Sequence, residues 1–207
     1  MPPEIVDKQF AHIKKYLLEG EGRVAARILP GEYYVTDKDE MITTVLGSCI
    51  SACICDPDMG VGGMNHFMLP EPESVGSRWQ HTEVSAEHRY GNYAMESLIN
   101  DILGLGGRKT RLLVKVFGGG KILSSMTDVG RYNIDFVKSY LSVENLEIAA
   151  LDVGDRFPRR VNFYPRTGKV RVKKLSALHS PDIALKEQAL IEDIKSHPIG
   201  NDGTLFH

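Results

Sequence analysis

Between Met41 and Leu69 the chain reads MITTVLGSCISACICDPDMGVGGMNHFML. Apolar and β-branched segments alternate there with turn signals at Gly47-Ser48 and Asp56-Pro57-Asp58, the pattern of a strand followed by a β-hairpin. Within it, ISACIC has the composition of a sheet interior, so Cys53 and Cys55 are read as buried packing residues. A hairpin folded about the midpoint of Pro57 and Asp58 sets Cys49 directly across from His66. Opposed residues have Cβ atoms about 4.5–5.5 Å apart, close enough for a thiol and an imidazole to share a proton. A slip of one residue would put them on opposite faces.

The rest of the chain alternates helix and strand signals. Val6, Phe10, Ile13 and Leu17 recur at helical spacing after Pro2-Pro3, which predicts an amphipathic N-terminal helix ending near Gly20. Arg23 to Thr36 predicts two short strands about Pro30-Gly31. Residues 70–92 are polar and broken by Pro and Gly, as in a long surface loop. Met95 to Leu103 predicts a helix ending at Gly104, RLLVKVF (111–117) a buried strand, and Asn133 a cap for a helix through Leu141. Strands follow at about 147–152, 160–165 and 169–175, and Ser180-Pro181 starts a last helix. The chain is therefore expected to be mixed α/β: a helical extension over 1–22, a main domain over 23–176 and a helical tail over 177–207.

A neutral thiol is a poor nucleophile, and an adjacent imidazole can lower its pKa from about 8.5 to roughly 3.5–7.5. Cys49 is thus the candidate nucleophile and His66 its acid and base. The turn Gly47-Ser48-Cys49 offers backbone N–H donors for the oxyanion of an attacked carbonyl. A third group must fix the imidazole's tautomer, and Thr43 and Thr44 are both near enough. They point to opposite faces of their strand, so one at most can serve.

The string TTVLGSC, with the His66 of GGMNHFMLP seventeen positions after its cysteine, resembles the chemoreceptor glutamine deamidases, the CheD family. PGEYYVT (30–36), RYGNYAMESLI (89–99), KVFGGG (115–120) and RTGKVRV (166–172) extend the resemblance over about residues 30–175. It implies a layered α/β/β sandwich like that of toxins that deamidate glutamine. It also implies hydrolysis of receptor glutamines to glutamate through a thioester on Cys49, with no cofactor and no metal. On the same grounds Thr43, six residues before the cysteine, takes the histidine-orienting role, and the glycine-rich loop at Gly118 and Gly119 lies close enough to touch substrate backbone. The implied partner is the cytoplasmic helical domain of a chemoreceptor. Members of the family also bind a CheC-type chemotaxis phosphatase, a partner these residues leave open.

A net charge of −2 gives no global drive toward nucleic acid or an anionic membrane. No run approaches the roughly 18 apolar residues of a membrane span, so no membrane insertion and a cytoplasmic location are expected. Three cysteines without a CxxC pair fit a reducing compartment. The basic residues between Arg159 and Lys174 read as a solvated face or a docking surface for an acidic helix. From another class, the rival reading is a regulatory module that acts by binding a phosphatase or the receptor.

Overall fold

The computed structural model describes residues 9–69, 86–122 and 128–176, and in the C-terminal segment 182–183, 185, 187–189 and 192. In chain order the elements are β1 (Lys14–Leu18), β2 (Arg23–Arg27), β3 (Tyr33–Thr36), β4 (Glu40–Leu46), β5 (Ile50–Asp56), β6 (Val61–Asn65), α1 (Ala86–Gly104), β7 (Leu113–Gly118), α2 (Val129–Val143), β8 (Ile148–Val153), β9 (Arg159–Tyr164) and β10 (Lys169–Lys174). They form two five-stranded sheets, ordered β1-β2-β4-β9-β10 and β3-β6-β5-β7-β8. The two strands on either side of Pro30-Gly31 therefore do not pair with each other. The turn carries the chain from one sheet to the other.

Every residue of β5 and β6 is buried, which requires cover on both faces of the sheet. Helix α1 packs on β3, β5 and β6, and α2 on β5. On the other side Ile42, Leu46, Val161 and Phe163 of the first sheet join the same apolar core as Cys53, Cys55, Met64 and Phe117. Helices, second sheet and first sheet thus stack as a mixed α/β sandwich. Among the described residues no helix is long and apolar enough to cross a membrane.

The expected N-terminal helix meets a correction. Lys14–Leu18 is a strand, paired antiparallel with β2 from Lys14↔Arg27 to Leu18↔Arg23. Phe10 and Ile13 of the predicted stripe are buried, Phe10 standing edge-on to Tyr33 and Tyr34 at 5.3 and 5.1 Å, whereas Leu17 is exposed. Pairing with the open edge of β2 outweighs local helical spacing, as tertiary context often does. Residues 1–8 lie outside the described residues, as do 70–85 of the expected loop; from Ala86 that stretch is already helix.

Helix α2 also starts earlier than expected. Asp128 is its cap, accepting from the Arg131 N–H at 3.1 Å, and Asn133 lies one turn inside. The strands predicted near 111–117, 147–152, 160–165 and 169–175 stand as β7, β8, β9 and β10, each within two residues of its expected start.

Candidate active site

The β5–β6 hairpin is closed by Asp56, whose buried carboxylate accepts from the Asp58 and Met59 amides at 3.1 and 3.3 Å, from Arg108 N at 2.9 Å and from the Arg111 guanidinium at 2.6 and 3.0 Å. Pairing starts at Asp56↔Val61 and runs through Cys53↔Met64 to a last bridge, Ile50↔Phe67. The turn spans Pro57 to Gly60, with Gly60 at φ +66°, and is longer than the Pro57-Asp58 pivot assumed from sequence. The register is accordingly shifted by two residues. His66 falls across from Ser51, and Cys49 lies diagonal to it on the same face. Because the shift is even, both side chains still point to one side of the sheet.

At this end β6 leaves the ladder. The Asn65 side chain accepts from Ala52 N at 2.8 Å, and its backbone carbonyl accepts from the Ser51 hydroxyl at 2.5 Å. The His66 backbone is held instead by the turn leading into β3, with Gly31 N donating to His66 O at 2.7 Å and His66 N to Glu32 O at 2.8 Å. Its ring turns toward β4, where Nδ1 lies 2.7 Å from the Thr44 hydroxyl. That hydroxyl spends its one proton on Ile28 O at 2.9 Å, so Nδ1–H is the donor and Nε2 carries the lone pair. Nε2 is buried and has no hydrogen-bond partner among the described residues. An unpaired buried acceptor costs about 1–3 kcal/mol, and such an atom calls for a functional reason.

The threonine whose hydroxyl bonds the His66 ring is Thr44. The Thr43 hydroxyl bonds Asn162 Oδ1 of β9 at 2.7 Å. Thr44 shares its face of β4 with Ile42 and Leu46, which belong to the core between the sheets; Thr43 is on the opposite face. Both threonines and His66 line a cavity of about 430 Å³ with Arg27, Arg160 and Asn162.

The amides of Gly47, Ser48 and Cys49 converge on one anion. The anion is the Glu187 carboxylate: Oε1 accepts from Gly47 N at 3.0 Å and Cys49 N at 3.1 Å, Oε2 from Ser48 N at 3.0 Å and the Ser48 hydroxyl at 2.6 Å. The peptide plane explains the aim, since an N–H points opposite to the carbonyl of the same peptide unit. Gly120 N holds Gly47 O at 2.7 Å and so directs the Ser48 N–H; Asn133 Nδ2 holds Ser48 O at 2.9 Å and directs the Cys49 N–H. Asn133 Oδ1 also takes Leu69 N at 2.8 Å, tying the Gly47–Cys49 loop to the residues just beyond His66. Its signal in the sequence was a polar residue on the apolar stripe of α2 with Val129, Phe136, Val137 and Tyr140.

The glycine-rich loop serves the same loop from behind. Gly119 N donates to Cys49 O at 2.7 Å. A Cβ on Gly118, at φ +116°, would lie 2.1 Å from Cys49 O, so only glycine permits this approach. These donors face the protein's own carbonyls, not the cavity.

Cys49 is fully buried, and so are Cys53 and Cys55, which are packing residues as expected. The thiol of Cys49 is pushed well above its ordinary pKa by burial, by the Glu187 charge and by the hydrogen bond it makes to Glu187. Burial lowers His66 to about 3. The ionised thiol expected from sequence is thus replaced, in this conformation, by a neutral thiol and a neutral imidazole. Nothing local in the sequence pointed to Glu187, nearly 140 residues from the loop it binds.

The family described as CheD, chemotactic sensory transduction, matches residues 68–174. Curated relatives extend the likeness across the Gly47–Cys49 loop and the hairpin. One from Hydrogenovibrio crunogenus, named a probable chemoreceptor glutamine deamidase CheD, is 48% identical over 94% of this chain and 100% of its own length. Proteins of the same name from Halorhodospira halophila and a Janthinobacterium species are 45% and 51% identical, covering 95% and 89% of this chain and 91% and 90% of theirs. With that identity sustained over nearly the whole length, the chain belongs to the CheD family.

Proposed function

We propose that this protein hydrolyses the side-chain amide of selected glutamines in the cytoplasmic helical domain of chemoreceptors, leaving glutamate and releasing ammonia. The observation that carries this reading is the nest of consecutive N–H groups beside the Cys49 sulfur, which holds a glutamate carboxylate, the very group such a reaction produces.

In the reaction the substrate's amide oxygen takes the place of that carboxylate. Cys49 gives its proton to Nε2 of His66, and the sulfur attacks the amide carbon. Negative charge develops on the oxygen, where the Gly47 and Cys49 N–H groups already point; removing one such donor typically costs about 10²–10³ in rate. The imidazolium returns its proton to the amide nitrogen, the C–N bond breaks and ammonia leaves. Burial that disfavours a charged His66 makes this proton transfer downhill. Water then loses a proton to Nε2 and cleaves the thioester. Throughout, Nδ1–H stays on Thr44, so the ring presents one nitrogen to every step.

The wider setting comes with the same reading: a cytoplasmic location, a layered fold shared with glutamine-deamidating toxins, and a CheC-type phosphatase as a further partner. Cys49, His66 and Thr44 carry the chemistry, Thr43 lines the approach to it, and no organic cofactor is required. A receptor cytoplasmic fragment incubated with the protein and mapped by peptide mass spectrometry is expected to gain glutamate at discrete glutamine positions. Conversion should fall by about four to six orders of magnitude in Cys49→Ala; undiminished conversion would remove the mechanism. Receptor binding without conversion by the unaltered protein would favour the binding-module reading.

A further inference from the structure

The C-terminal segment places a side chain in the reaction centre. Residues 182–183, 185, 187–189 and 192 are helical, and Glu187 reaches from that segment into the amide nest. It is 7% exposed, whereas Leu185 of the same segment is 67% exposed. We propose that Glu187 is a resident copy of the reaction's product, held where the receptor helix presents its glutamine, so that the substrate enters by displacing this segment. This rests on the deamidase reading and specifies how its site meets a helix.

The fit is chemical. Oε1 accepts from the Gly47 and Cys49 amides, as an amide oxygen becoming an oxyanion would. Oε2 marks the leaving-group position, and the Ser48 hydroxyl beside it can donate to a carboxylate or accept from an amide NH₂. The Ser48 N–H at that same atom favours oxygen over nitrogen, so a carboxylate binds there more tightly than an amide. The approach is close by construction: a Cβ on Gly47 would lie 2.7 and 2.9 Å from the two carboxylate oxygens.

With the carboxylate in place a negative charge bound to the Cys49 N–H lies beside the thiol, and Nε2 of His66 has no partner among the described residues. Leaving the nest, Glu187 removes both a nearby negative charge and a competing acceptor, and the thiol proton is free for Nε2. Among the described residues of the segment Glu187 is the buried one. Leu185, Gln188 and Ala189 are exposed, and Ile183 is half-buried.

The discriminating variant is Glu187→Gln in the full chain. Its own amide becomes a substrate in cis: the Cys49 sulfur bonds to the side-chain amide carbon at position 187, the C–N bond breaks with ammonia leaving on a proton from His66, and water restores glutamate. Peptide mass spectrometry should show the amide-to-acid mass gain at position 187, absent from the Cys49→Ala/Glu187→Gln double variant. In parallel, Glu187→Ala should lower KM for the receptor fragment and speed alkylation of Cys49 by about tenfold or more, the weight of a charge-assisted hydrogen bond. If position 187 stays amide while the same variant converts receptor glutamines, and Glu187→Ala leaves KM and alkylation unchanged, this inference is wrong and the deamidase reading stands. If neither the unaltered protein nor the variants convert any receptor glutamine, the deamidase reading itself has failed.

Discussion

The two ends of the β5–β6 hairpin are built on opposite terms. At the turn, Asp56 is buried with each contact satisfied, by two amides of its own turn, the Arg108 amide and the Arg111 guanidinium. At the open end, His66 is equally buried and keeps an acceptor without a partner among the described residues, and the amides of residues 47–49 point at a side chain from a distant part of the chain. One end fixes the register and the other uses it. Satisfied polar groups hold a fold in place, whereas an unsatisfied donor or acceptor held rigidly is the state from which a reaction can gain.

That contrast can be broken by exchange of hydroxyls. Thr44→Val should lower kcat for receptor deamidation by about 10², because the ring loses the acceptor that fixes its tautomer. Thr43→Val should change kcat far less and act on KM, since its hydroxyl bonds Asn162 on the cavity wall. Equal losses from both variants, in steady-state rates of ammonia release, would put the orienting role back on spacing from Cys49.

A smaller effect is expected at the turn, on stability alone. Asp56→Asn should reduce the free energy of unfolding by about 1–3 kcal/mol, read from urea melts, with kcat near that of the unaltered protein. Run against pH, the same melts sharpen the comparison. His66 titrates near 3 when folded and near 6.5 when unfolded, so between those values the unfolded chain binds the extra proton. Stability is fully present above about pH 6.5 and falls as the pH drops toward 3, by up to about 1.4 kcal/mol per unit. In His66→Gln this component of the slope should vanish, and Asp56→Asn should retain it.

Much of this was legible before any coordinates. Turn chemistry at Asp56-Pro57 located the hairpin, and its error of two residues kept Cys49 and His66 on one face by register although they are not opposed; Nε2 of His66 has no hydrogen-bond partner among the described residues. The choice between Thr43 and Thr44 was not legible from alternation. Both faces of β4 are covered, so Met41 and Ile42 are alike apolar and alike buried and the pattern marks no inner side. Resemblance counted six residues back from the cysteine and selected the outer threonine. Strand β1 escaped because its partner β2, not its own spacing, decides its conformation. Glu187 escaped because a carboxylate in an exposed-looking tail carries no mark of what it will bind.

In the proposed reaction an acyl group passes through the Cys49 sulfur. Receptor fragment, protein and hydroxylamine, incubated together and mapped by peptide mass spectrometry, report on it directly. A thioester partitions between water and the added nucleophile, so hydroxamate should appear at the same receptor positions as glutamate, rise with hydroxylamine concentration, and be missing with Cys49→Ala. Glutamate formed at those positions with no hydroxamate at any concentration, and formed equally by Cys49→Ala, would contradict it.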